Sequence, residues 1–313
     1  MSSTASGEQP ADERGQRRER LALASAGVPF RLKVAFVWVA IFVLLGIFFW
    51  LAAFDNQWMQ DNLSYIAAGL KYTLYMAVGG IALAVVLAAL GALGRLSSSP
   101  IAYGISGFYV SFFRGTPLIV QMFLIYLALP QVGNNLRTRF PGLPASVDEI
   151  FILQAAVAGT LALGLNYGAY MTEIFRAGIQ SVGGGQGEAA DALGMTYGQK
   201  MRKIILPQAF RVIIPPTGNE FIAMMKDTAL VSFLGVTAAS AEVFRRAQLV
   251  GNEAYKNLEA YVVCAGLYWV LTAIFTFFQR RLEAKVSRGY DRGHVIASRH
   301  KPVTPTTGET VLP

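Results

Sequence analysis

The sequence predicts an all-α integral membrane protein with six transmembrane helices, and three observations support that fold class. Of the 313 residues, 54% are hydrophobic and only 15% are charged, whereas a soluble domain carries about 25% charged residues. The charged residues are missing from particular stretches rather than thinned out evenly. Several of these stretches reach the roughly 20 apolar residues that are needed to cross a hydrocarbon core of ~30 Å. Because a backbone in lipid must satisfy its own hydrogen bonds, each crossing is predicted to be a helix.

Six apolar segments are long enough to cross the membrane. In chain order they cover approximately Val34–Phe54, Tyr65–Leu93, a part of Ile101–Leu129, Ile150–Phe175, Ala209–Val236 and Tyr261–Phe278. The segment before them, residues 1–33, is polar and basic, and we expect it to be a disordered cytoplasmic tail. The apolar run that follows it is long and lacks a clear small-residue cleavage site, so no cleavable signal is predicted.

The distribution of Lys and Arg predicts that both termini are cytoplasmic. With the N-terminus inside, the inner segments hold 18 of these residues and the outer segments hold 5. Cytoplasmic loops carry this excess in membrane proteins. The same asymmetry accounts for the net charge of +8 without nucleic acid as a partner, and it places residues 176–206 in the cytoplasm.

The scarcity of reactive residues limits the chemistry of the chain. With one cysteine, Cys264, and two histidines, a disulfide within the chain is excluded and a transition-metal site is not expected. No Gly-x-x-x-x-Gly-Lys-Ser/Thr sequence occurs, and the glycine run 183–187 lacks the lysine that reaches nucleotide phosphates. We therefore expect the chain itself to bind no cofactor.

The cytoplasmic segment between the fourth and fifth crossings is predicted to form one or two short helices over Glu188–Lys203. Gly194 interrupts the run as a left-handed cap does. Thr196 is placed to cap a second helix that includes Gln199, and Pro207 suits the first turn of the next crossing. Such a segment either stabilises its own protein or meets a soluble partner, and the residues alone leave both readings open.

Polar and ionisable residues within crossings are functional candidates because burying them in lipid is costly. Asn166, Tyr170 and Glu173 recur at the spacing of one helix face. Arg114 and Gln121 are expected to share a face, with a kink or break at Pro117. The candidates for a substrate pathway are Arg114, Gln121, Asn166, Tyr170, Glu173, Asn219, Glu220, Lys226, Asp227 and Thr228.

Three of these candidates have simpler readings as members of ion pairs. Glu173 is placed to pair with Arg176 on the same helix. Lys226 and Asp227 are equally compatible with an internal pair and with a role toward substrate, since a zwitterionic amino acid needs partners of both charge signs.

One spaced motif resembles a known family. The order Glu-Ala-Ala, three residues, Gly, nine residues, Ile, one residue, Leu-Pro is complete in Glu188, Ala189, Ala190, Gly194, Ile204, Leu206 and Pro207. It is similar to the EAA loop of bacterial ABC importer permeases. The sequences that begin at Arg114 (RGTPLIVQ), Ala169 (AYMTEIFRAGI) and Lys226 (KDTALVS) resemble the polar amino acid branch of these MetI-like permeases, over roughly residues 64–282.

The resemblance implies a five-helix permease core in residues 64–282, with a coupling loop at about 177–206. An extra transmembrane helix and outer loop would then occupy residues 34–63, and residues 283–313 would form a second basic cytoplasmic tail. The implied partners are an ABC ATPase subunit that holds ATP and Mg, a second permease subunit, identical or paralogous, and an extracytoplasmic amino-acid-binding protein. The implied location is the bacterial plasma membrane, in contact with lipid.

Two other classes of protein compete with this reading. A stand-alone channel or an ion-coupled secondary amino acid carrier explains the intramembrane charges but leaves the EAA loop without a purpose. An intramembrane enzyme is the least supported, because no Ser/His pair, His-Glu-x-x-His motif or pair of catalytic aspartates is evident.

Overall fold

The computed structural model describes residues 29–144 and 146–286. Every regular element in these residues is helical, which confirms the predicted all-α class. The α-helices are α1 (Phe30–Leu51), α2 (Asn56–Ala67), α3 (Leu70–Leu96), α4 (Pro100–Gly115), α5 (Leu118–Arg139), α6 (Ser146–Phe151), α7 (Ala155–Gln180), α8 (Gly184–Ala192), α9 (Tyr197–Lys200), α10 (Leu206–Asp227), α11 (Val243–Ala254) and α12 (Asn257–Val286).

Three segments have a different helical pitch. A π-helix covers Met201–Ile205, and 3₁₀ helices cover Thr228–Leu234 and Ala238–Ser240. The predicted basic tails fall almost wholly on residues 1–28 and 287–313, which lie outside the described residues.

Four stretches of the described residues are long and apolar enough to cross a membrane: Phe30–Leu51, Asn56–Leu96, Leu118–Arg139 and Asn257–Val286. Helices α7 and α10 coincide with the fourth and fifth predicted crossings but are less apolar. In α7 the reason is burial, because much of this helix faces protein instead of lipid. The count of six crossings is compatible with these helices and stays a prediction.

The third predicted crossing is divided into two helices. Helix α4 ends at Gly115, and α5 begins at Leu118. Thr116 and Pro117 between them are extended, since a proline disfavours the helical conformation of the residue before it. The break at Pro117 was expected, but the expectation that Arg114 and Gln121 share one helix face is wrong, because they lie on different helices.

The chain forms two compact units, residues 1–58 and 59–313. In the first unit, α1 has no buried side chain. Its apolar surface, which includes Trp38 and Phe42 in stacked contact, is therefore suited to lipid. Helix α1 corresponds to the extra N-terminal crossing predicted within residues 34–63.

The second unit is organised around α7. This helix packs against α3, α4, α5 and α10, and small residues allow the close approach. A Cβ atom at Gly164 would lie 2.6 Å from Cδ2 of Leu83 on α3, and one at Gly91 of α3 would collide with Thr172 of α7. Small residues are typical of helix contacts in membranes. Helices α3 and α7 are therefore in direct contact at these glycines.

Candidate functional site

The break between α4 and α5 leaves backbone carbonyl groups without helical partners, since the last four carbonyls of a helix have none. Nε2 of Gln121 donates hydrogen bonds to the carbonyl oxygens of Phe113 at 2.8 Å and Thr116 at 3.0 Å. Nδ2 of Asn166 donates to the same Phe113 oxygen at 3.0 Å. It also donates to Oε1 of Gln121 at 3.0 Å. Two amide side chains, one on α5 and one on α7, thus hold the irregular backbone in place.

A cavity of about 340 Å³ lies beside this break. Irregular backbone at membrane depth is tolerated where it is buried in protein or lines a water-filled space. The volume lies at the lower end of the range of ligand pockets, ~300–1,000 Å³. The cavity is lined by Thr116, Pro117, Leu118, Asn166, Tyr167, Tyr170, Glu220 and Asp227.

Charged groups of both signs adjoin the cavity. Glu220 and Asp227 both line it from α10, two helical turns apart. Oδ2 of Asp227 accepts a hydrogen bond of 2.7 Å from the hydroxyl group of Tyr167. Arg114, at the end of α4, places its guanidinium carbon 5.1 Å from the centre of the Tyr170 ring. The site therefore offers carboxylates to a cation and a guanidinium group to an anion.

The structure brings together a part of the predicted pathway. Four of the candidates line the cavity: Asn166, Tyr170, Glu220 and Asp227. Gln121 and Arg114 adjoin it through their contacts with Asn166 and Tyr170. The roles of these residues in transport stay predictions.

Four candidates lie away from the cavity lining: Glu173, Asn219, Lys226 and Thr228. Glu173 forms the ion pair with Arg176 that the sequence allowed, at 2.7 Å. Asn219 and Lys226 are exposed, and the described ion pairs do not include one between Lys226 and Asp227. The hydroxyl group of Thr228 is buried and donates to the Met225 carbonyl oxygen at 2.7 Å.

The sequence reasoning missed Tyr167 and Thr116. Tyr167 lies three residues before Tyr170, on the same face of α7, so the periodicity that selected Tyr170 also marks Tyr167. Thr116 precedes Pro117, and its extended backbone follows from that neighbour. Its hydroxyl group accepts from Nε2 of Gln121 at 2.8 Å.

The segment predicted to meet a partner is a compact pair of short helices, α8 and α9. Gly194 between them is left-handed with φ +72°, as expected. Thr196 and Gln199 form the predicted capping box at the start of α9. Nζ of Lys200 lies 2.7 Å from Oδ1 of Asp191 and so fastens α9 to α8. The segment is therefore folded on itself before any partner is present.

Two apolar side chains of this segment face solvent. Leu193 is 80% exposed and Tyr197 is 65% exposed, and neither was singled out from the sequence. In contrast, Ala190 is 1% exposed and packs inward, while Glu188 and Ala189 are exposed. Ile204 and Leu206 are half-buried and Pro207, at the start of α10, is exposed. The exposed residues give the segment an apolar surface that a partner protein can cover.

The segment that follows α10 is anchored by a buried carboxylate that sequence reasoning also missed. Glu242 is 0% exposed, and its carboxylate oxygens accept from the backbone N–H groups of Phe244 and Arg245, each at 2.6 Å. The hydroxyl group of Tyr268 on α12 donates to it at 3.0 Å. Burial raises the pKa of Glu242 to about 7, although these hydrogen bonds and the Arg245 charge act in the opposite direction. The sequence signal for this contact was the position of Glu242 directly before the amphipathic helix α11, because a carboxylate is favourable at a helix N-terminus.

Comparison with known proteins places this geometry in context. Residues 80–288 match the protein family described as "Binding-protein-dependent transport system inner membrane component". This range contains the cavity, the α8–α9 segment and Glu242.

Individual relatives agree with the family match. The chain is 38% identical over 236 residues to the "Probable amino-acid permease protein YxeN" of Bacillus subtilis, covering 75% of this chain and 97% of that protein. It is 37% identical over 267 residues to the "Arginine transport system permease protein ArgU" of Corynebacterium glutamicum, covering 82% and 81%. A chain from the "Crystal structure of an amino acid ABC transporter with histidines" has a TM-score of 0.64 and 35% identity, covering 74% of this chain and 99% of that chain.

Proposed function

Because the chain belongs to the family of binding-protein-dependent transport system inner membrane components, as a permease subunit of an amino-acid ABC transporter, we propose that it imports a polar amino acid, driven by ATP hydrolysis on a separate subunit. The resemblance read from the motif between Glu188 and Pro207 is thereby confirmed. A stand-alone channel or carrier is the less supported alternative.

The observation that carries the proposed coupling is the prefolded α8–α9 segment. Its two helices are fastened by the Asp191–Lys200 ion pair, and its exposed apolar residues, Leu193 and Tyr197, have no cover in the described part of the chain. A rigid segment transmits movement because packed interfaces switch between discrete arrangements instead of deforming smoothly. We assign ATP and Mg to the partner ATPase, and the coupling contact to the EAA residues Glu188, Ala189, Ala190, Gly194, Ile204, Leu206 and Pro207.

The proposed substrate pathway passes the cavity beside the α4–α5 break. An amino acid carries an ammonium and a carboxylate group. Glu220 and Asp227 are suited to the first group, and Arg114 is suited to the second. Names such as the arginine permease of Corynebacterium glutamicum and the "L-cystine transport system permease protein TcyB" of Bacillus subtilis agree with a polar amino acid as cargo.

The proposed assembly contains this chain, a second permease subunit, an ABC ATPase and an extracytoplasmic amino-acid-binding protein, in the bacterial plasma membrane. Both termini and the α8–α9 segment face the cytoplasm, as the distribution of basic residues predicts. Labelling tests this orientation. A cysteine at the exposed Ala189, in a Cys264→Ser background, should react with a membrane-impermeant maleimide only after the cytoplasmic face is opened. Labelling of intact cells at that position contradicts the orientation.

Reconstitution tests the function itself. The chain is placed in proteoliposomes with the ATPase, second permease and binding protein of the proposed assembly, and labelled amino acid uptake is followed with and without ATP. Uptake should need ATP, the ATPase and the binding protein together. If the purified chain alone moves amino acid along an ion gradient, the carrier alternative replaces this proposal.

A further inference from the structure

Three charged side chains form a bridge where α3 and α7 end. Nε of Arg95, in the last turn of α3, lies 3.4 Å from Oε1 of Glu173 on α7. Oε2 of the same carboxylate accepts a hydrogen bond of 2.8 Å from Nε of Arg176. One carboxylate therefore has a partner on a neighbouring helix and another on its own helix. The side chains of Arg95 and Glu173 are 24% and 21% exposed, so solvent screens the pair only in part.

Arg95 also reaches a third helix. Its guanidinium carbon lies 4.6 Å from the centre of the Tyr103 ring on α4. Stacking of this kind contributes ~0.5–2 kcal/mol. A residue on α3 thus contacts both α4 and α7.

The contact of Glu173 with Arg95 on α3 is weaker than its contact with Arg176 on α7. Nε of Arg95 is buried and has no hydrogen-bond partner, even though Glu173 lies within ion-pair distance. A buried N–H group without an acceptor costs about 1–3 kcal/mol. A small shift of the Glu173 carboxylate toward Nε of Arg95 would complete that hydrogen bond. The Arg95–Glu173 contact is therefore sensitive to the position of α7.

The bridge lies at the base of the α8–α9 segment. Glu173 and Arg176 occupy the last two turns of α7, and only Ser181, Val182 and Gly183 separate α7 from α8. Beside the bridge, α3 and α7 touch directly at Gly91 and Thr172. A displacement of α8 that moves the end of α7 consequently changes the distance between Arg95 and Glu173.

We propose that Arg95 is a positioning residue for transport, which passes movement of α8 through Glu173 to α3 and α4. This inference rests on the proposed function, in which α8 receives the movement from the ATPase. Arg95 touches neither the cavity nor the exposed face of α8. Its effect is on how much substrate moves for each ATP hydrolysed, and it leaves the binding of substrate or ATPase unchanged.

The test measures transport and ATP hydrolysis together in the complete importer in proteoliposomes. In Arg95→Gln and in Glu173→Gln, we expect the amino acid moved per ATP hydrolysed to fall about fivefold, the lower end of ordinary coupling between sites. ATP hydrolysis should continue in both variants. Arg176→Gln is the matched control because its pair lies within α7, and it should change the ratio by less than about twofold, as a pair worth a few tenths of a kcal/mol does.

Exchange of the charges tests whether the effect belongs to the Arg95–Glu173 pair itself. Arg95→Glu with Glu173→Arg, made in the Arg176→Gln background to avoid repulsion within α7, should restore most of the ratio. An unchanged ratio in Arg95→Gln overturns the proposal, and so does a low ratio that the exchange leaves low. If Arg95→Gln does not assemble, Arg95→Lys takes its place: an intermediate ratio supports the proposal, and a wild-type ratio overturns it.

The wild-type importer separates this inference from the proposed function. If the wild-type chain transports with ATP while the Arg95 variants match it, only the role of Arg95 is lost. If the wild-type chain shows no uptake dependent on ATP and the ATPase, the proposed function itself fails.

Discussion

Asn166 on α7 donates a hydrogen bond of 3.0 Å to Gln121 on α5, and both amides also donate to the carbonyl oxygen of Phe113. The two amides and the Phe113 carbonyl group form one hydrogen-bonded network. Loss of either amide therefore leaves the other amide without one of its hydrogen-bond partners. This network fixes the backbone beside the cavity.

We expect Asn166→Leu and Gln121→Leu each to destabilise the protein by about 1–3 kcal/mol, because each leaves a buried polar group unsatisfied. The double variant should lose less than the sum of the two, since the groups share one network. Thermal unfolding in detergent measures the effect, with the exposed Asn219→Ala as the control. Strictly additive losses would show that the two amides act independently.

Removal of the Tyr167 hydroxyl group should impair transport more than folding. Tyr167→Phe deletes the 2.7 Å hydrogen bond to Asp227 and leaves the carboxylate without its fixed partner. A hydrogen bond to a charged group contributes ~1.5–3 kcal/mol, so we expect uptake to fall about tenfold. Initial rates in proteoliposomes report the change, and Tyr75→Phe, at an exposed tyrosine, serves as the control. Equal rates in both variants would remove Tyr167 from the pathway.

The exposed apolar surface of the α8–α9 segment should be needed for assembly with the ATPase. Leu193→Asp places a charge where a partner would cover an apolar side chain, and the few central, fully desolvated residues of an interface each cost more than about 1 kcal/mol when truncated. We expect the ATPase to co-purify at least about fivefold less well, because ~1 kcal/mol corresponds to this factor. Leu258→Asp makes the same change at another exposed leucine, outside the segment. Full recovery of the ATPase with Leu193→Asp argues against docking at this surface.

Stability should depend on pH through Glu242. Its pKa is raised to about 7 by burial, so the folded protein binds a proton that the unfolded chain, with a pKa of about 4.3, has already released. Stability from this group is therefore greatest below the unfolded pKa and declines as the pH rises toward 7, by up to about 3 kcal/mol. Above the raised pKa the contribution stays constant.

Melting temperatures in detergent between pH 5 and 8 measure this dependence. Glu242→Gln should flatten the decline, because an amide does not titrate. If the melting temperatures of wild type and Glu242→Gln decline equally with rising pH, the pH dependence of stability comes from other groups.

Local features of the chain were predictable from the sequence. The left-handed turn at Gly194, the cap formed by Thr196 and Gln199, and the break at Pro117 each depend on a few adjacent residues, so their chemistry is visible in the chain. The pair of Glu173 with Arg176 follows from helical spacing in the same way.

Contacts between distant segments were not predictable. Arg95 with Glu173, Tyr167 with Asp227 and Glu242 with Tyr268 are each brought together by helix packing. No local rule selects these partners, because the register and rotation of packed helices decide which side chains meet. The exposure of Leu193 likewise depends on how α8 folds back on α9.

Helix α7 carries Asn166 beside the cavity and Glu173 at the base of α8, seven residues apart, which is ~10 Å along the helix axis. Gly164 lies so close to Leu83 that α7 and α3 pack directly against each other. One continuous helix thus connects the cavity with the α8–α9 segment. A larger side chain at Gly164 is therefore expected to disturb both regions at once.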